Sequence, residues 1–238
     1  MSDVVEGLRG STGAGLEDRL FLKPRAARAA SDVQVLHRRD HYERWVKPTF
    51  DTVVAGLLLI ALVPLFAFVA LLVYIRLGRP VILRQTRTGR GGKPFTMYKF
   101  RTMLPDRRVS DRPHHGPERR RNHKSANDPR HVPFGRVLRR ASLDELPQLV
   151  NVVRGEMSLV GPRPELATVV ESYQPWQHQR HHVKPGVTGL WQVTMRGDGP
   201  MHEHTDVDLD YIRQMSFLLD LRILAQTVPA ALGRRRGE

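Results

Sequence analysis

The feature that most limits the fold of this chain is an uncharged apolar stretch at residues 52–75, which reads TVVAGLLLIALVPLFAFVALLVYI. About 20 predominantly apolar residues are enough for a helix to cross a bilayer, so the stretch is long enough to enter a membrane. A buried core helix is the alternative, but a chain of 238 residues rarely buries a helix that is apolar on every side. The stretch therefore predicts a membrane-embedded segment.

Pro64 lies near the middle of this stretch and removes one helical hydrogen bond, which predicts a kink. Both flanks of the stretch are basic, and the residues concerned are Arg38, Arg39, Arg44, Lys47, Arg76, Arg79, Arg84, Arg87 and Arg90. Because basic flanks favour the cytoplasmic side, a helix that enters, bends near Pro64 and returns would satisfy both ends. From these residues alone, the re-entrant path and an ordinary span both remain open.

The formal net charge of +14 favours anionic partners, which include nucleic acid, anionic lipid and phosphorylated small molecules. The basic run at residues 119–121 has no interleaved aromatic residues for base stacking, so no nucleic acid partner is expected. The absence of cysteine excludes disulfides and thiolate zinc sites. The motifs GxxxxGK[ST], GxGxxG and HExxH are also absent, which removes support for those enzyme classes.

Alternating apolar and basic residues after Arg76 predict short strands at residues 81–83 and 95–100, with Gly89, Gly91 and Gly92 in the turn between them. This β-hairpin could lie on the membrane surface or in solvent, and the pattern favours neither. Residues 105–133 are rich in Arg, His, Asp, Asn and Pro, which predicts a surface loop.

Residues 134–155 carry an apolar stripe at helical spacing, and this stripe contains the adjacent carboxylates Asp144 and Glu145. Ser142 and Glu145 fit a capping box, S-x-x-E, which is a purely structural explanation for the acidic pair. Pro147 argues against that explanation, because a proline beyond the first helical turn costs a hydrogen bond. The alternative is a helix that begins near Leu146 and leaves the two carboxylates on a bend before it.

Two rigid loops each present one cation. The first is Gly-Pro-Arg-Pro at residues 161–164, where two prolines restrict the backbone around Arg163, and the second is KPGVTG at residues 184–189. Residues 211–232 predict one amphipathic helix, which could lie in the membrane interface or in the core.

Several motifs together resemble the bacterial sugar transferases of the small monotopic phosphoglycosyl transferase type. The resemblance covers about residues 47–232 and rests on KPTFD, RPVILRQTRTGRGGKPF, MYKFRTM, LRRASLDELPQLVNVVRGEMSLVGPRPE, KPGVTGLWQV and DYIRQMSFLLDLRIL, in that order. It implies an α+β, mostly helical, monotopic membrane protein. Its expected parts are a re-entrant helix-break-helix, a small β-hairpin and amphipathic interface helices around a cytosolic catalytic domain.

The expected divisions are a flexible N-terminal extension (1–43), the re-entrant membrane helix (44–76), the catalytic domain (77–232) and a basic tail (233–238). Members of the family often have Ser-Pro at the helix break, whereas this chain has Val63-Pro64. Re-entry therefore rests on Pro64 and on the flanking charges. The implied location is the bacterial cell membrane, with the catalytic domain facing the cytoplasm.

The implied reaction moves a sugar 1-phosphate from a UDP-sugar to polyprenyl phosphate through a covalent intermediate. Asp144 matches the nucleophile, and Glu145 would handle a proton or place Mg²⁺, so both are candidate metal ligands. The resemblance matches Arg139, Arg163 and Arg196 to phosphate-binding positions, for which structural ion pairs are the alternative. It also implies a nucleotide pocket, with Lys184, Pro185, Gly186, Thr188 and Gly189 as its residues. The expected partners are the UDP-sugar, polyprenyl phosphate and the cytoplasmic leaflet, and a homodimer is left open.

Two other functions fit the same residues. One is a non-enzymatic, membrane-anchored basic scaffold that binds anionic lipid or nucleic acid, and the other is a membrane phosphatase acting on lipid phosphates. The scaffold predicts that Asp144→Asn changes nothing, and the phosphatase predicts release of inorganic phosphate instead of UMP.

Overall fold

A computed structural model describes residues 41–104, 130–194 and 204–232 of the chain. Within these ranges the protein is mostly helical and contains two small two-stranded sheets, which confirms the predicted α+β class. The predicted N-terminal extension, apart from residues 41–43, lies outside the described residues. So do the basic tail, most of the predicted surface loop and Arg196.

The apolar stretch forms two helices that meet at an angle of 65°. A short π-helical turn, Tyr42–Val46, leads into helix α1, Lys47–Ala61, and helix α2 covers Val63–Leu77. The chain bends at Leu62, and Pro64 occupies the first turn of α2, where a missing backbone N–H costs little. Among the described residues no single helix has both the length and the apolar character to cross a membrane, although the bent pair meets that criterion when taken together.

The predicted hairpin is present, with β1 at Ile82–Thr88 and β2 at Pro94–Phe100. The strands are antiparallel and stay in register from Ile82 opposite Phe100 to Thr88 opposite Pro94. Gly91 and Gly92 in the turn have φ angles of 64° and 75°, which favour glycine. Strand β1 is longer than predicted, because its polar residues pair through the backbone with β2.

An apolar cluster fixes α2 against the hairpin and against helix α3, Pro133–Arg140. Its buried members are Val69, Val73, Phe100 and Leu138, and the partly buried Leu143 and Leu146 pack on it. Because the last two residues flank the acidic pair, this cluster holds the turn that carries Asp144 and Glu145 against the bent helices.

Arg101, just after β2, connects the hairpin to the end of α2. Its guanidinium donates to the carbonyl of Leu77, to Gly78 O at 2.7 Å and to Arg79 O at 3.1 Å. The last carbonyls of a helix lack partners inside the helix, and a cation there also complements the helix dipole. Arg101 therefore caps α2 from the same strand end that borders the acidic pair.

The apolar stripe at residues 134–155 is not one helix. It divides into α3, a 3₁₀ turn at Leu143–Glu145 and helix α4 at Gln148–Val153. The capping-box interpretation is wrong, because Ser142 adopts a left-handed conformation, with φ of 55°, and its side chain makes no capping hydrogen bond. The alternative is confirmed: the two carboxylates lie on a bend before the helix.

The second sheet brings together the Gly-Pro-Arg-Pro loop and the KPGVTG loop. In this sheet β3, Ser158–Val160, runs parallel to β4, Gly186–Thr188. The backbones approach so closely that a Cβ atom on Gly186 would lie 2.1 Å from the nitrogen of Gly161. Gly189 is similarly confined, since its Cβ would lie 2.2 Å from the oxygen of Gly161. Two of the five predicted pocket residues thus have a packing role.

We expect Gly186→Ala to lower the free energy of unfolding by about 3 kcal/mol, because the added methyl group meets backbone atoms that cannot turn away. The measurement is denaturant-induced unfolding in detergent micelles. Gly56→Ala is the matched control, because its Cβ would have no neighbour within 4 Å. Equal stability of both variants would contradict the close approach of the two loops.

Three short helical segments lie close to the strands of this sheet in the sequence. Helix α5, Ala167–Val170, and a 3₁₀ helix, Pro175–His182, connect β3 to β4, and helix α6, Leu190–Thr194, follows β4. The 3₁₀ helix packs against helix α7, Thr205–Gln214. This contact brings the connection between the two strands next to the last part of the described chain.

The predicted single helix at residues 211–232 is wrong. Helix α7 ends at Gln214, and the extended ψ of 121° at Met215 separates it from α8, which covers Phe217–Leu232. Ile212, Leu219 and Ile223 are buried, so these apolar residues serve the core. Contact of the exposed side of α8 with a membrane stays a prediction.

A buried polar network anchors the start of α1 to α8 and β3. Lys47 pairs with Asp220 and lies 3.7 Å from Asp51, and the hydroxyl of Ser158 donates to Asp51 at 2.6 Å. Tyr211 donates to Asp220 at 2.8 Å. The KPTFD motif therefore contributes two of its residues to the attachment of the bent helix pair to the rest of the fold.

Candidate active site

The centre of the candidate site is the 3₁₀ turn Leu143–Glu145, which carries Asp144 and Glu145 side by side. The left-handed conformation of Ser142 turns the chain out of α3, and Pro147 marks the start of α4. The turn is held by apolar residues on both sides, and Asp144 keeps only 7% of its surface exposed. The sequence thus places two carboxylates in a buried, well-supported turn.

Glu145 is held by two cations. Arg163 contacts both of its oxygens, with Nη2 at 2.6 Å from Oε1 and Nη1 at 3.3 Å from Oε2. The ammonium of Lys99 lies 3.3 Å from Oε1. Burial opposes ionisation of Glu145, but the charges of Arg163 and Lys99 outweigh it and hold the pKa of Glu145 well below its usual value. Glu145 is therefore an ionised carboxylate that fixes two positive charges.

Asp144 is in a different state. Within the described ranges it accepts no hydrogen bond from another side chain, and only a backbone N–H helps to stabilise its charge. Burial, followed by the negative charge of Glu145, raises the pKa of Asp144 to about 6, against the opposing effect of Lys99 and Arg163. The two neighbouring carboxylates thus differ: one is engaged with cations, and the other is available for chemistry.

Sequence analysis did not identify Lys99 as a site residue. Lys99 lies on β2 two residues after the buried Met97, so alternation along the strand directs both side chains to the same face. A lysine on the inward face of a strand was the available signal, and the MYKFRTM motif contains it. Burial lowers the pKa of Lys99, although Glu145 opposes that effect.

Arg87 is a second residue that sequence analysis did not assign to the site. Its guanidinium donates to Pro164 O at 3.3 Å and to the side chain of Gln85 at 2.8 Å, and it lies 4.0 Å from Glu165. Burial and the nearby charge of Arg163 lower its pKa to about 10. Strand β1 therefore adds a cation to the loop that carries Arg163.

The Gly-Pro-Arg-Pro loop is held through its carbonyl groups. The prolines on either side of Arg163 have no N–H to donate, so the loop can be fixed mainly by donors from elsewhere. Each carbonyl from residue 162 to residue 165 accepts one such bond: Pro162 from Gly186 N, Arg163 from Arg180 Nη2, Pro164 from Arg87 Nη1 and Glu165 from Thr88 N.

The other predicted site residues are placed as follows. Arg139 is half-buried and donates to Thr102 at its carbonyl (3.3 Å) and at its hydroxyl (3.2 Å). Thr188 is buried and shares a hydrogen bond of 2.8 Å with Thr227. Pro185 lines a small recess together with Arg163. The phosphate role of Arg139 and Arg196 and the nucleotide pocket at Lys184, Pro185, Gly186, Thr188 and Gly189 stay predictions.

A metal ion at this site would depend on few protein ligands. In the three described ranges, no group of three or more His, Asp or Glu residues could hold a metal. Asp144 and Glu145 both retain oxygen lone pairs, because Asp144 has no side-chain partner in those ranges and Oε2 of Glu145 accepts the 3.3 Å bond from Arg163. This donor set fits Mg²⁺, which takes one or two carboxylates and completes its shell with water and phosphate oxygens.

The sequence of the chain matches a known family. The family model described as bacterial sugar transferase matches residues 42–234, which include all the described elements of the site. The chain therefore belongs to the bacterial sugar transferase family.

The chain is similar to several named members of this family. The chain is 43% identical over 205 residues to a UDP-glucose:undecaprenyl-phosphate glucose-1-phosphate transferase of Xanthomonas campestris, covering 83% of this chain and 41% of the relative. It is 41% identical to the exopolysaccharide production protein ExoY of Sinorhizobium fredii, covering 77% of this chain and 84% of the relative. It is 39% identical to an undecaprenyl-phosphate galactose phosphotransferase of Salmonella typhimurium, covering 80% of this chain and 41% of the relative. The chain thus spans less than half the length of two of these relatives.

Proposed function

We propose that this chain transfers a sugar 1-phosphate from a UDP-sugar to undecaprenyl phosphate and releases UMP, as the first membrane step of a surface glycan such as exopolysaccharide. The observation that carries this proposal is the contrast within the acidic pair. Asp144 is buried and has no side-chain partner in the described part of the chain, whereas Glu145 beside it fixes two cations. The named activities of two relatives support the same reaction.

In the first proposed step a carboxylate oxygen of Asp144 attacks the phosphorus atom that bears the sugar. The bond from this phosphorus to the bridging oxygen breaks, and its electron pair leaves with UMP. An aspartyl phosphosugar remains, which divides one difficult transfer into two easier ones.

In the second proposed step an oxygen of undecaprenyl phosphate attacks the same phosphorus atom. The bond to the oxygen of Asp144 breaks and returns the electron pair to the carboxylate, which restores the enzyme. The product is the undecaprenyl diphosphate sugar, so atoms and charge balance over the cycle.

Glu145, Lys99 and Arg163 supply the electrostatic part of the proposal. Lys99 and Arg163 place two positive charges beside the two carboxylates, which offsets the repulsion between the ionised acidic pair and an incoming diphosphate. Because Glu145 holds both cations before the substrate arrives, little reorganisation is needed when charge shifts toward the leaving UMP. Asp144 and Glu145 are the proposed ligands of Mg²⁺, which when bound offsets the negative charge of the diphosphate.

The proposed membrane arrangement is re-entrant, with both ends of the bent helix pair at the cytoplasmic face of the bacterial membrane. Large apolar side chains are exposed on both helices, among them Leu57, Ile60, Phe68, Leu71 and Ile75. Extended apolar surface of this kind usually meets lipid or a partner rather than water. The bend at Leu62 and the basic flanks support entry and exit on one side. A homodimer stays a prediction.

The test of the proposed function uses purified protein in detergent or lipid particles with Mg²⁺ and undecaprenyl phosphate. UDP-glucose and UDP-galactose are both offered, because relatives named for each sugar are similar to the chain at 43% and 39% identity. We expect UMP and a lipid diphosphate sugar. Release of UDP would mean that the sugar moves without its phosphate. Release of inorganic phosphate would support the phosphatase, and lipid binding without turnover would support the basic scaffold.

The pH dependence of the first step follows from the state of Asp144. The carboxylate attacks only when deprotonated, and its pKa is raised to about 6, so the rate should increase with pH up to about 6 and then level off. Below pH 6 we expect a fall of about tenfold per pH unit. The measurement is the burst of UMP without undecaprenyl phosphate, because the acceptor phosphate titrates in the same range.

Glu145→Gln provides the control for this pH profile. It removes a neighbouring negative charge and leaves Lys99 and Arg163 to stabilise ionised Asp144, so the acidic limb should move to lower pH. An acidic limb that stays at the same pH in this variant would contradict the assignment of that limb to Asp144.

A further inference from the structure

Arg180 is a buried cation that no step of the proposed reaction uses. It lies on the 3₁₀ helix Pro175–His182, and only 2% of its surface is exposed. Its guanidinium forms an ion pair of 2.6 Å with Asp208 on α7, which is also buried. Burial of a charged pair is weak evidence for a contribution to stability, because desolvation offsets much of the attraction. A contribution to stability therefore does not by itself account for this buried pair.

The hydrogen bonds of Arg180 connect it to the loop that carries Arg163. One guanidinium nitrogen contacts the hydroxyl of Tyr173, and another donates to the carbonyl of Arg163 at 2.8 Å. The side chain of Arg163 in turn grips Glu145 beside Asp144. A continuous series of contacts thus runs from α7 through Arg180 to the acidic pair.

The contact at the carbonyl of Arg163 fixes the backbone of the residue whose side chain meets Glu145. Pro162 and Pro164 have no N–H, so the backbone on either side of Arg163 lacks the usual donors for holding a loop. Arg180 thus supplies a hydrogen bond to the backbone of Arg163, the residue whose guanidinium contacts Glu145. A planar guanidinium presents several donors in fixed directions, which allows one side chain to engage Asp208, Tyr173 and the loop together.

We propose that Arg180 is a positioning residue that holds Arg163 in its orientation toward Glu145, with Asp208 as its buried counter-ion. The inference rests on the proposed function, because Arg163 acts on the phosphates of the UDP-sugar in that reaction. Arg180 itself touches no substrate in this proposal. Its effect on catalysis passes through the backbone of Arg163.

A double-mutant cycle on steady-state UMP release, measured with undecaprenyl phosphate present, tests the proposal. Arg180→Lys keeps the charge beside Asp208 but loses the fork that reaches the loop, and we expect kcat/KM to fall about tenfold. In an Arg163→Gln background the same change should lower kcat/KM by less than about twofold, because the guanidinium that Arg180 positions is absent. Radiolabelled UDP-sugar makes the slower variants measurable, and Asp144→Asn defines the background.

Two further variants separate positioning from stability. Tyr173→Phe removes one hydroxyl from Arg180 with little change in volume, so it should fold even if Arg180→Lys does not, and its smaller loss should also vanish in the Arg163→Gln background. Ile212→Val removes one methyl group from the buried side of α7 and changes none of the hydrogen bonds of Arg180. At an equal loss of thermal stability, this control should keep its kcat/KM.

The outcomes distinguish the two proposals. If Arg180→Lys or Tyr173→Phe lowers kcat/KM by the same factor in the wild-type and in the Arg163→Gln background, the effect does not pass through Arg163 and the positioning role is wrong. If neither variant changes kcat/KM in the wild-type background, the positioning role is also wrong. If the wild-type protein itself releases no UMP from any UDP-sugar, the proposed function fails independently of Arg180.

Discussion

Asp144→Asn is expected to lower the rate of the UMP burst by about 10⁴-fold or more, because the proposed nucleophile is removed and its neighbour is poorly placed to substitute for it. Glu145 is adjacent, but its oxygens are engaged by Arg163 and Lys99. The same change should prevent radiolabel from the sugar phosphate from remaining on the denatured protein. Both losses should appear together, since both depend on the one covalent bond.

The stability of this variant provides the control. Asparagine has nearly the shape of aspartate, and the substitution removes a buried charge that Glu145 repels. We therefore expect an unchanged or slightly higher melting temperature along with the loss of activity. A variant that releases UMP within about tenfold of the wild-type rate would overturn the assignment of Asp144 as nucleophile.

Arg163→Gln is expected to lower kcat/KM for the UDP-sugar by about 10³-fold, an effect typical of losing a cation that stabilises charge in phosphoryl transfer. The variant removes both hydrogen bonds to Glu145 and leaves Lys99 as the only cation paired with that carboxylate in the described chain. Arg163→Lys should recover only part of the loss, because an ammonium lacks the bidentate fork.

The matched control is Arg154→Gln. Arg154 donates to the hydroxyl of Tyr98 at 2.6 Å, and alternation along β2 places Tyr98 on the opposite face from Lys99. Its replacement should change kcat/KM by less than about twofold. If both arginine variants lose the same factor, the effect reflects overall charge rather than the position of Arg163.

Local patterns allowed the bent apolar segment, the hairpin and the bend before α4 to be predicted, because each depends on nearby residues. Pro64, the glycines of the turn and Pro147 act within a few positions of their place in the sequence. The capping box was misleading for the same reason. Its letters fit a local rule, whereas the contacts that Glu145 makes with Lys99 and Arg163 come from elements distant in sequence.

The missing parts of the site depend on such long-range contacts. Lys99 contacts Glu145 from strand β2, 46 residues earlier in the chain. Arg180 on the 3₁₀ helix Pro175–His182 forms an ion pair with Asp208 on α7. The break at Met215 is different, because its signal is local: the hydroxyl of Ser216 accepts a hydrogen bond from the backbone N–H of Leu219 at 3.4 Å and so caps the start of α8. Sequence analysis could therefore identify the acidic pair and Arg163 as candidates, but not the residues that hold them.

The cap that Arg101 places on α2 links the position of the bent helices to the position of the acidic pair. Arg101 follows β2, which carries Lys99, and the apolar cluster joins the same strand to the turn that carries Asp144. If the bent helices are seated in one leaflet as proposed, their depth fixes the level of the reactive carboxylate. A thinner or thicker leaflet would then move Asp144 relative to the phosphate of its lipid acceptor, so bilayer thickness becomes a variable that can alter the rate of the second step alone.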